Sequence, residues 1–352
     1  MAVVSTPAVA TTNRLSQAEL LKRIDPKGNL ADIAEVLNES NEIIQDVVLK
    51  EGNLETGDQQ TIRTGLPEIY WRQMNRGVPS SHSTTAVITE TCGLMSARSE
   101  IDKKVVELNG LTASFRKDEE KPFIEAMGQG LAKTLFYGDA RKVSEGFTGF
   151  ATRYSTTDKT VADCAKNVID CGGVGGQGKK LTSIYIVGWG DNVYCPYPKG
   201  SKTGLQAMDM GLQYVDDDKG YKFPAYVTDY EWHVGLMVRD WRYVVRLANI
   251  DPDELMNGTG MGSGNIKTGN NILTKIEMAL GLIPSAGNTQ LRMYMNGDVQ
   301  AGLNAVSTRT NIQVITYQNA TQQYGKPSSW SNFLGVPLRR VDQISNNETK
   351  VA

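Results

Sequence analysis

The sequence predicts an α+β fold with intertwined lobes, and three observations carry that expectation. Residues 111–139 keep helical spacing, residues 50–102 read as strands that are polar on both faces, and strands and helices interleave beyond residue 155 without a clean linker. At 352 residues, with 40% hydrophobic and 22% charged, the chain suggests about two domains and a substantial core. Its 35 glycines exceed the usual share of roughly 7% and predict many turns.

Taken in order, residues 1–14 read as a mobile arm. Ser16 and Glu19 form a capping box with Leu15 as staple, opening a helix to about Ile24 that stops at Asp25-Pro26-Lys27-Gly28. Asn29 caps a second helix carrying Leu30, Ile33, Ala34, Leu37 and Ile44. Strands are expected at 61–64, 69–72 and 86–89, with a turn region at 75–79. Such a pair has too little apolar surface for its own core, and an isolated hairpin is marginal in water. It must lie on something else, either its own domain or another subunit.

In the central helix Phe123, Ile124, Met127, Leu131, Leu135 and Phe136 share one face, while Ala126 and Gly130 form a small-residue stripe that invites a close neighbour. Pro122 fits the first turn of a helix capped by Asp118, so the regular helix is expected to begin near Glu119, with Gly138 at its C′ position. An aromatic return segment spans 147–154, a glycine-rich loop 171–180, and a buried strand Ser183–Trp189. Alternation over Tyr226–Ile250 predicts a hairpin turning at Arg239-Asp240. It would pair Val238 with Trp241, Leu236 with Tyr243, Val234 with Val245, Trp232 with Leu247, and His233 with Arg246. A flexible loop at 257–269 and a helix through Ile272, Ile276, Ala279 and Leu280 follow, then a strand at 291–295, a helix near 298–306, and strands at 312–317 and 336–344.

Little in the chain points to catalysis, and no cofactor is expected. Gly173 to Lys179 matches GxxxxGK, but Lys180 stands where Ser or Thr would hold Mg²⁺, and a strand rather than a helix follows. His82 and His233 are the two histidines, no GxSxG elbow occurs, and Asp216-Asp217-Asp218 reads as a solvated loop. Cys92, Cys164, Cys171 and Cys195 contain no CxxC pair, which argues for reduced thiols over a zinc site or disulfide framework. A net charge of −2 without a run of five Lys/Arg lacks the footprint of a dedicated nucleic-acid-binding domain. Neither a signal peptide nor a membrane-length apolar stretch is seen.

Several segments together resemble the major capsid proteins of short-tailed double-stranded DNA phages, notably the Bordetella podophage type. They are Arg63-Thr64-Gly65-Leu66-Pro67 with Trp71-Arg72, Phe123–Gly138, Gly149–Tyr154, Pro198-Lys199-Gly200-Ser201, and Glu231–Asp251. The similarity runs from about Leu20 to Arg309, and the order and joint occurrence of the segments make it specific.

The resemblance implies the Hong Kong 97-like capsid fold. Its parts would be an N-terminal arm with helices at 1–49, an extended β-hairpin loop at 50–102, a peripheral domain with the long spine helix at 103–154, and an axial domain at 155–352 whose strands also return to the peripheral domain. It also implies a non-enzymatic protein that self-assembles into hexamers and pentamers, and then an icosahedral head around packaged double-stranded DNA held without sequence specificity. Arg63, Trp71, Arg72, Arg76 and Arg98 become candidate contacts between subunits. No lysine occurs between Glu51 and Asp102, so the Lys–Asn cross-link of some members lacks its nucleophile here, and a non-covalent shell is expected. The short stretch before the first helix leads us to expect a separate scaffolding protein. A cement protein and a portal are further implied partners, with assembly in the host cytoplasm and no membrane. A tail-tube or other ring-forming virion protein is the alternative.

Overall fold

The computed structural model describes residue 39 and residues 41–107, 112–175, 180–217, 219–260, 271–284, 289–310, 315–319 and 329–352. The two expected N-terminal helices fall outside these residues, except that Ile43–Asp46 form a single turn, α1. Gly176–Lys179 of the glycine-rich loop, 261–269 of the second loop and 312–314 also fall outside.

Strand β1 (Leu49–Glu51) is followed by β2 (Gly57–Gly65), β3 (Thr84–Thr91) and β4 (Gly93–Asp102). Helices α2 (Lys103–Glu107), α3 (Thr112–Tyr137) and α4 (Phe150–Arg153) come next. Then run β5 (Val168–Asp170), β6 (Thr182–Trp189), β7 (Val193–Tyr197), β8 (Gln206–Asp216), β9 (Lys222–Val234), β10 (Met237–Val238) and β11 (Val244–Ile250). Helices α5 (Pro252–Asn257) and α6 (Ile272–Leu282), β12 (Gln290–Met295), α7 (Gly297–Thr310), β13 (Ile315–Asn319), β14 (Ser329–Phe333) and β15 (Val336–Arg340) complete the chain order. Contacts divide the chain into two compact units. Among the described residues, the first holds Met95–Gly128 and Gly204–Trp232, and the second Glu39–Leu94, Gln129–Thr203 and His233–Ala352.

The second unit is built on a seven-stranded mixed sheet of order β13-β14-β15-β12-β6-β11-β5. Every residue of β6 is buried, which explains why its sequence shows no polar alternation. On one face Ile184, Ile186, Val245, Leu247 and Met293 pack with Leu255, Ile272, Ile276, Val299 and Leu303 of α5, α6 and α7. The other face carries aromatic rings. Tyr185 lies 4.9 Å from Phe136 between ring centroids, Trp189 lies 6.1 Å from Phe150, and Trp189 Nε1 donates to Tyr294 Oη at 2.7 Å. Gly138 ends α3 as expected, but not through a left-handed backbone. It is glycine for space, because a Cβ there would come within 2.3 Å of the Phe147 carbonyl oxygen. Gly149 is equally confined, with the carbonyl oxygens of Thr134, Leu135 and Phe136 2.6–2.8 Å from its would-be Cβ.

The first unit is a three-stranded sheet of order β4-β9-β8 with the N-terminal part of α3. Phe123 stacks on Tyr230 at 5.3 Å and 12°. Arg116 pairs with Asp209 at 2.7 Å and lies over the Tyr226 ring at 5.0 Å, and its hydrogen bond holds the Asp209 carboxyl below the usual range.

Several expectations are corrected here. The hairpin with His233 opposite Arg246 does not form. Instead β9 pairs with β8, from Gln206↔Glu231 to Asp216↔Lys222, around the acidic turn, while β11 pairs with β5 and β6. Alternation specifies which face of a strand is buried but not its partner. Trp241–Tyr243, expected as strand, form a 3₁₀ turn capped by the Asp240 side chain. Helix α3 reaches back to at least Thr112, so Asp118 lies inside it and Pro122 is an interior proline. The lost hydrogen bond is tolerated while the helix on its N-terminal side is anchored through Arg116. Ile124 is 49% exposed and Ala126 is exposed, so the buried stripe of α3 is Met127, Leu131, Leu135 and Phe136. Residues 69–72 form no strand, and β15 ends at Arg340, beyond which Val341 bridges Asn41.

Candidate intersubunit surface

The β2–β3 hairpin runs in register from Gly57↔Thr91 to Gly65↔Thr84, with one irregularity between Arg63 and Gly65. Its base is pinned within the second unit. Arg153 makes a bidentate pair with Glu90 at 2.7 and 2.8 Å and donates to the carbonyls of Thr148 and Leu236. Asp58, buried, accepts from Tyr194 Oη and from Gln60 Nε2 at 3.1 Å. Gly57 admits no side chain, since a Cβ would sit 2.1 Å from the Glu90 carbonyl oxygen.

The tip is the opposite. Residues 66–83 have no regular structure, and Leu66 is 82%, Ile69 93%, Met74 94% and Trp71 fully exposed. Local bonds shape it: Ser81 Oγ donates to the Glu68 carbonyl, Arg72 Nε donates to the Arg76 carbonyl at 2.9 Å, and Asn75 takes the left-handed conformation (φ 62°). The turn expected at 75–79 falls earlier, at Met74-Asn75, closed by the Arg76 N–H donating to the Gln73 carbonyl at 3.3 Å.

The structure gathers Trp71, Arg72 and Arg76 on this tip and places Arg63 on the exposed side of β2. Among the described residues the Arg63 guanidinium has neither hydrogen bond nor ion pair. Arg98 belongs to the first unit and is engaged there by Asp229 at 2.6 and 3.0 Å, which raises the pKa of its guanidinium. The clamp of Arg153, Glu90 and Asp58 escaped the sequence reading, because nothing in the chain links positions 63 and 136 residues apart.

Among the described residues no group of three or more His, Cys, Asp or Glu could hold a metal, and no helix is long and apolar enough to cross a membrane. Burial raises the thiol pKa values of Cys92 and Cys171 to about 12, so these are poor nucleophiles.

Comparison with solved structures gives this architecture a context. A chain of the bacteriophage epsilon15 structure matches with TM-score 0.74 and 25% identity over 98% of this chain and 99% of that one. The bacteriophage JBD30 capsid matches with TM-score 0.47 and 11% identity over 97% and 99%. The capsid of a native GTA particle gives TM-score 0.47 and 10% identity over 64% and 95%. No curated protein sequence matches the chain. The mixed α/β fold resembles that of phage capsid proteins of the Hong Kong 97-like fold family. Residues 25–352 match the family Major capsid protein GP7, and the chain belongs to that family. It is a structural protein of the phage capsid, and its place is the virion.

Proposed function

We propose that the β2–β3 hairpin is the extended loop by which one subunit overlaps the next, as copies close into hexamers and pentamers of an icosahedral head. The bare tip carries this reading: Ile69, Trp71 and Met74 are almost wholly exposed on a segment whose base is firmly pinned. Exposed apolar side chains grouped in this way mark an interaction site. Trp71, Arg72 and Arg76 are the contacts of the tip, Arg63 lies on the strand leading to it, and Arg98 contributes from β4. Residues 1–49 serve as the arm, 103–154 as the peripheral domain with the spine, and 155–352 as the axial domain with strands returning to the peripheral one.

The absence of lysine from Glu51 to Asp102 supports a non-covalent shell held by charge-assisted arginine contacts. Its partners are other copies, a separate scaffolding protein, a cement protein, a portal, and double-stranded DNA enclosed without sequence recognition. Assembly takes place in the host cytoplasm. The kinship with short-tailed phages rests on the segments quoted from the sequence.

Electron microscopy of the purified chain tests the reading. Closed shells or capsomers are expected, and rings, tubes or a monomer with turnover would overturn it. Trp71→Ala should leave subunit melting unchanged while weakening shell formation; shells indistinguishable from wild type would remove the tip from the interface. Boiled denaturing gels should show single subunits, and ladders would refute the non-covalent shell.

A further inference from the structure

Beside β2 lies a cleft of about 500 Å³ lined by Thr61, Ile62 and Arg63, by Asn192, and by Arg239 to Arg242. Three arginines and one aspartate are among these residues. That carboxylate is already committed: Asp240 accepts from Arg242 Nε at 3.0 Å and Nη2 at 2.7 Å, and from the Arg242 backbone N–H. Arg239 reaches only a backbone oxygen, that of Asp191, at a long 3.3 Å, and its buried Nε has no partner among the described residues. Arg63 has none either. Arg63 is thus exposed on the cleft without a hydrogen bond or ion pair, and Arg239, half-buried, feels the charge of Asp191, itself paired with Lys50, but forms no ion pair among the described residues.

We infer that this cleft receives a carboxylate side chain from a second copy of the chain, with Arg63 and Arg239 as its ligands. A guanidinium fork matches the planar carboxylate and forms strong charge-assisted bonds with it. A second copy is favoured because Arg63 stands on the strand that runs straight into the bare tip, so the cleft continues the proposed overlap surface. The chain also has acidic groups to offer, with 39 Asp and Glu against 37 Lys and Arg. A phosphate backbone is the less fitting occupant, since it would bring several negative charges against the Asp240 carboxylate on the cleft wall where a side chain brings one. The inference rests on the overlap reading and adds the chemistry of its polar contact.

Shells assembled from the full chain test it. Arg63→Lys and Arg239→Lys each keep the charge and supply an amine, which a carbodiimide couples to any carboxylate it touches. With isotope-labelled and unlabelled subunits mixed, the expected product joins position 63 or 239 of one chain to an Asp or Glu of another, in empty shells. Links confined to Asp191 or Asp240 of the same chain would overturn the inference. Arg63→Ala with Arg239→Ala should weaken subunit association roughly tenfold or more and lower the salt concentration at which shells dissociate. Unchanged dissociation counts against it, as does a defect seen only in DNA-filled particles, which would assign the cleft to phosphate. Wild-type chain that forms neither capsomers nor shells when supplied with its scaffolding protein overturns the overlap reading and this inference with it. Wild-type shells with unaffected variants overturn this inference alone.

Discussion

Glu348 offers the sharpest test of what holds the second unit together. Its carboxylate is buried with Arg246, their side chains 6% and 5% exposed, at 2.9 Å. It also accepts from Tyr137 Oη and Ser183 Oγ, while its backbone N–H donates to the Leu181 carbonyl at 2.8 Å. One side chain therefore ties the irregular C-terminal segment to α3, β6 and β11. Glu348→Ala would leave the Arg246 guanidinium buried with only Ser183 Oγ and the carbonyls of Ala151 and Tyr154 as acceptors. Removing one partner of a buried pair costs about 3–5 kcal/mol, since the remaining charge is uncompensated. At about 2–4 °C per kcal/mol for a unit of this size, melting of the dissociated subunit, followed by circular dichroism, should fall by roughly 6–20 °C. Arg246→Met combined with Glu348→Leu removes both charges and should recover much of the loss. A fall corresponding to less than about 1 kcal/mol, or a double variant worse than the single one, would refute the reasoning. The exposed pair Arg98–Asp229 is the control, and Asp229→Asn should barely move the same curve.

Three further outcomes are expected. Gly149→Ala would press a methyl group against three carbonyl oxygens at 2.6–2.8 Å, and chemical denaturation should show a loss of about 1–3 kcal/mol. Arg153→Ala releases Glu90 from its bidentate pair, so limited proteolysis of the subunit should cut the β2–β3 strands as well as the tip, whereas in wild type cleavage within the hairpin stays in 66–83. The buried Cys171 thiol, raised by burial from an ordinary 9.0 to about 12, ionises more readily unfolded than folded. Its contribution is therefore complete below pH 9 and is lost between about pH 9 and pH 12, by up to about 4 kcal/mol. Urea midpoints measured across that window should decline, more steeply than in Cys171→Ala.

How much of this was legible in the sequence depended on what each pattern encodes. Helical periodicity marked α3 and α6, and uninterrupted apolar character marked β6, because in each case burial acts on the element itself. Strand partners were another matter. Tyr226–Ile250 alternates well enough for a hairpin, yet β9 pairs with β8 and β11 sits between β5 and β6. The turn that does form was visible as Asp217 to Gly220, where the Asp217 side chain accepts from the backbone of Lys219 and Tyr221. No strand signal precedes it, because β8, exposed along most of its length, lacks the alternation of a half-buried strand. Pro122 misled for a related reason: a local rule placed the helix start after it, while contacts remote in sequence from Arg116 keep the preceding turns helical.

The candidate surface shows the same division from the other side. That residues 50–102 lack a core of their own could be read directly, since polarity on both strand faces is a property of the segment. What holds the hairpin could not, because Glu90 and Asp58 acquire meaning only from Arg153 and Tyr194. The arginines separate in the same way. Arg98, drawn into the candidate set by its position, has its charge answered within the chain by Asp229, whereas Arg239, which no motif singled out, has a buried donor unanswered among the described residues. In a protein whose work is to meet copies of itself, an unanswered charge on a pinned scaffold is a stronger pointer to the interface than a charge on the loop alone. The loop can choose its neighbours, but the cleft cannot move away from its need for one.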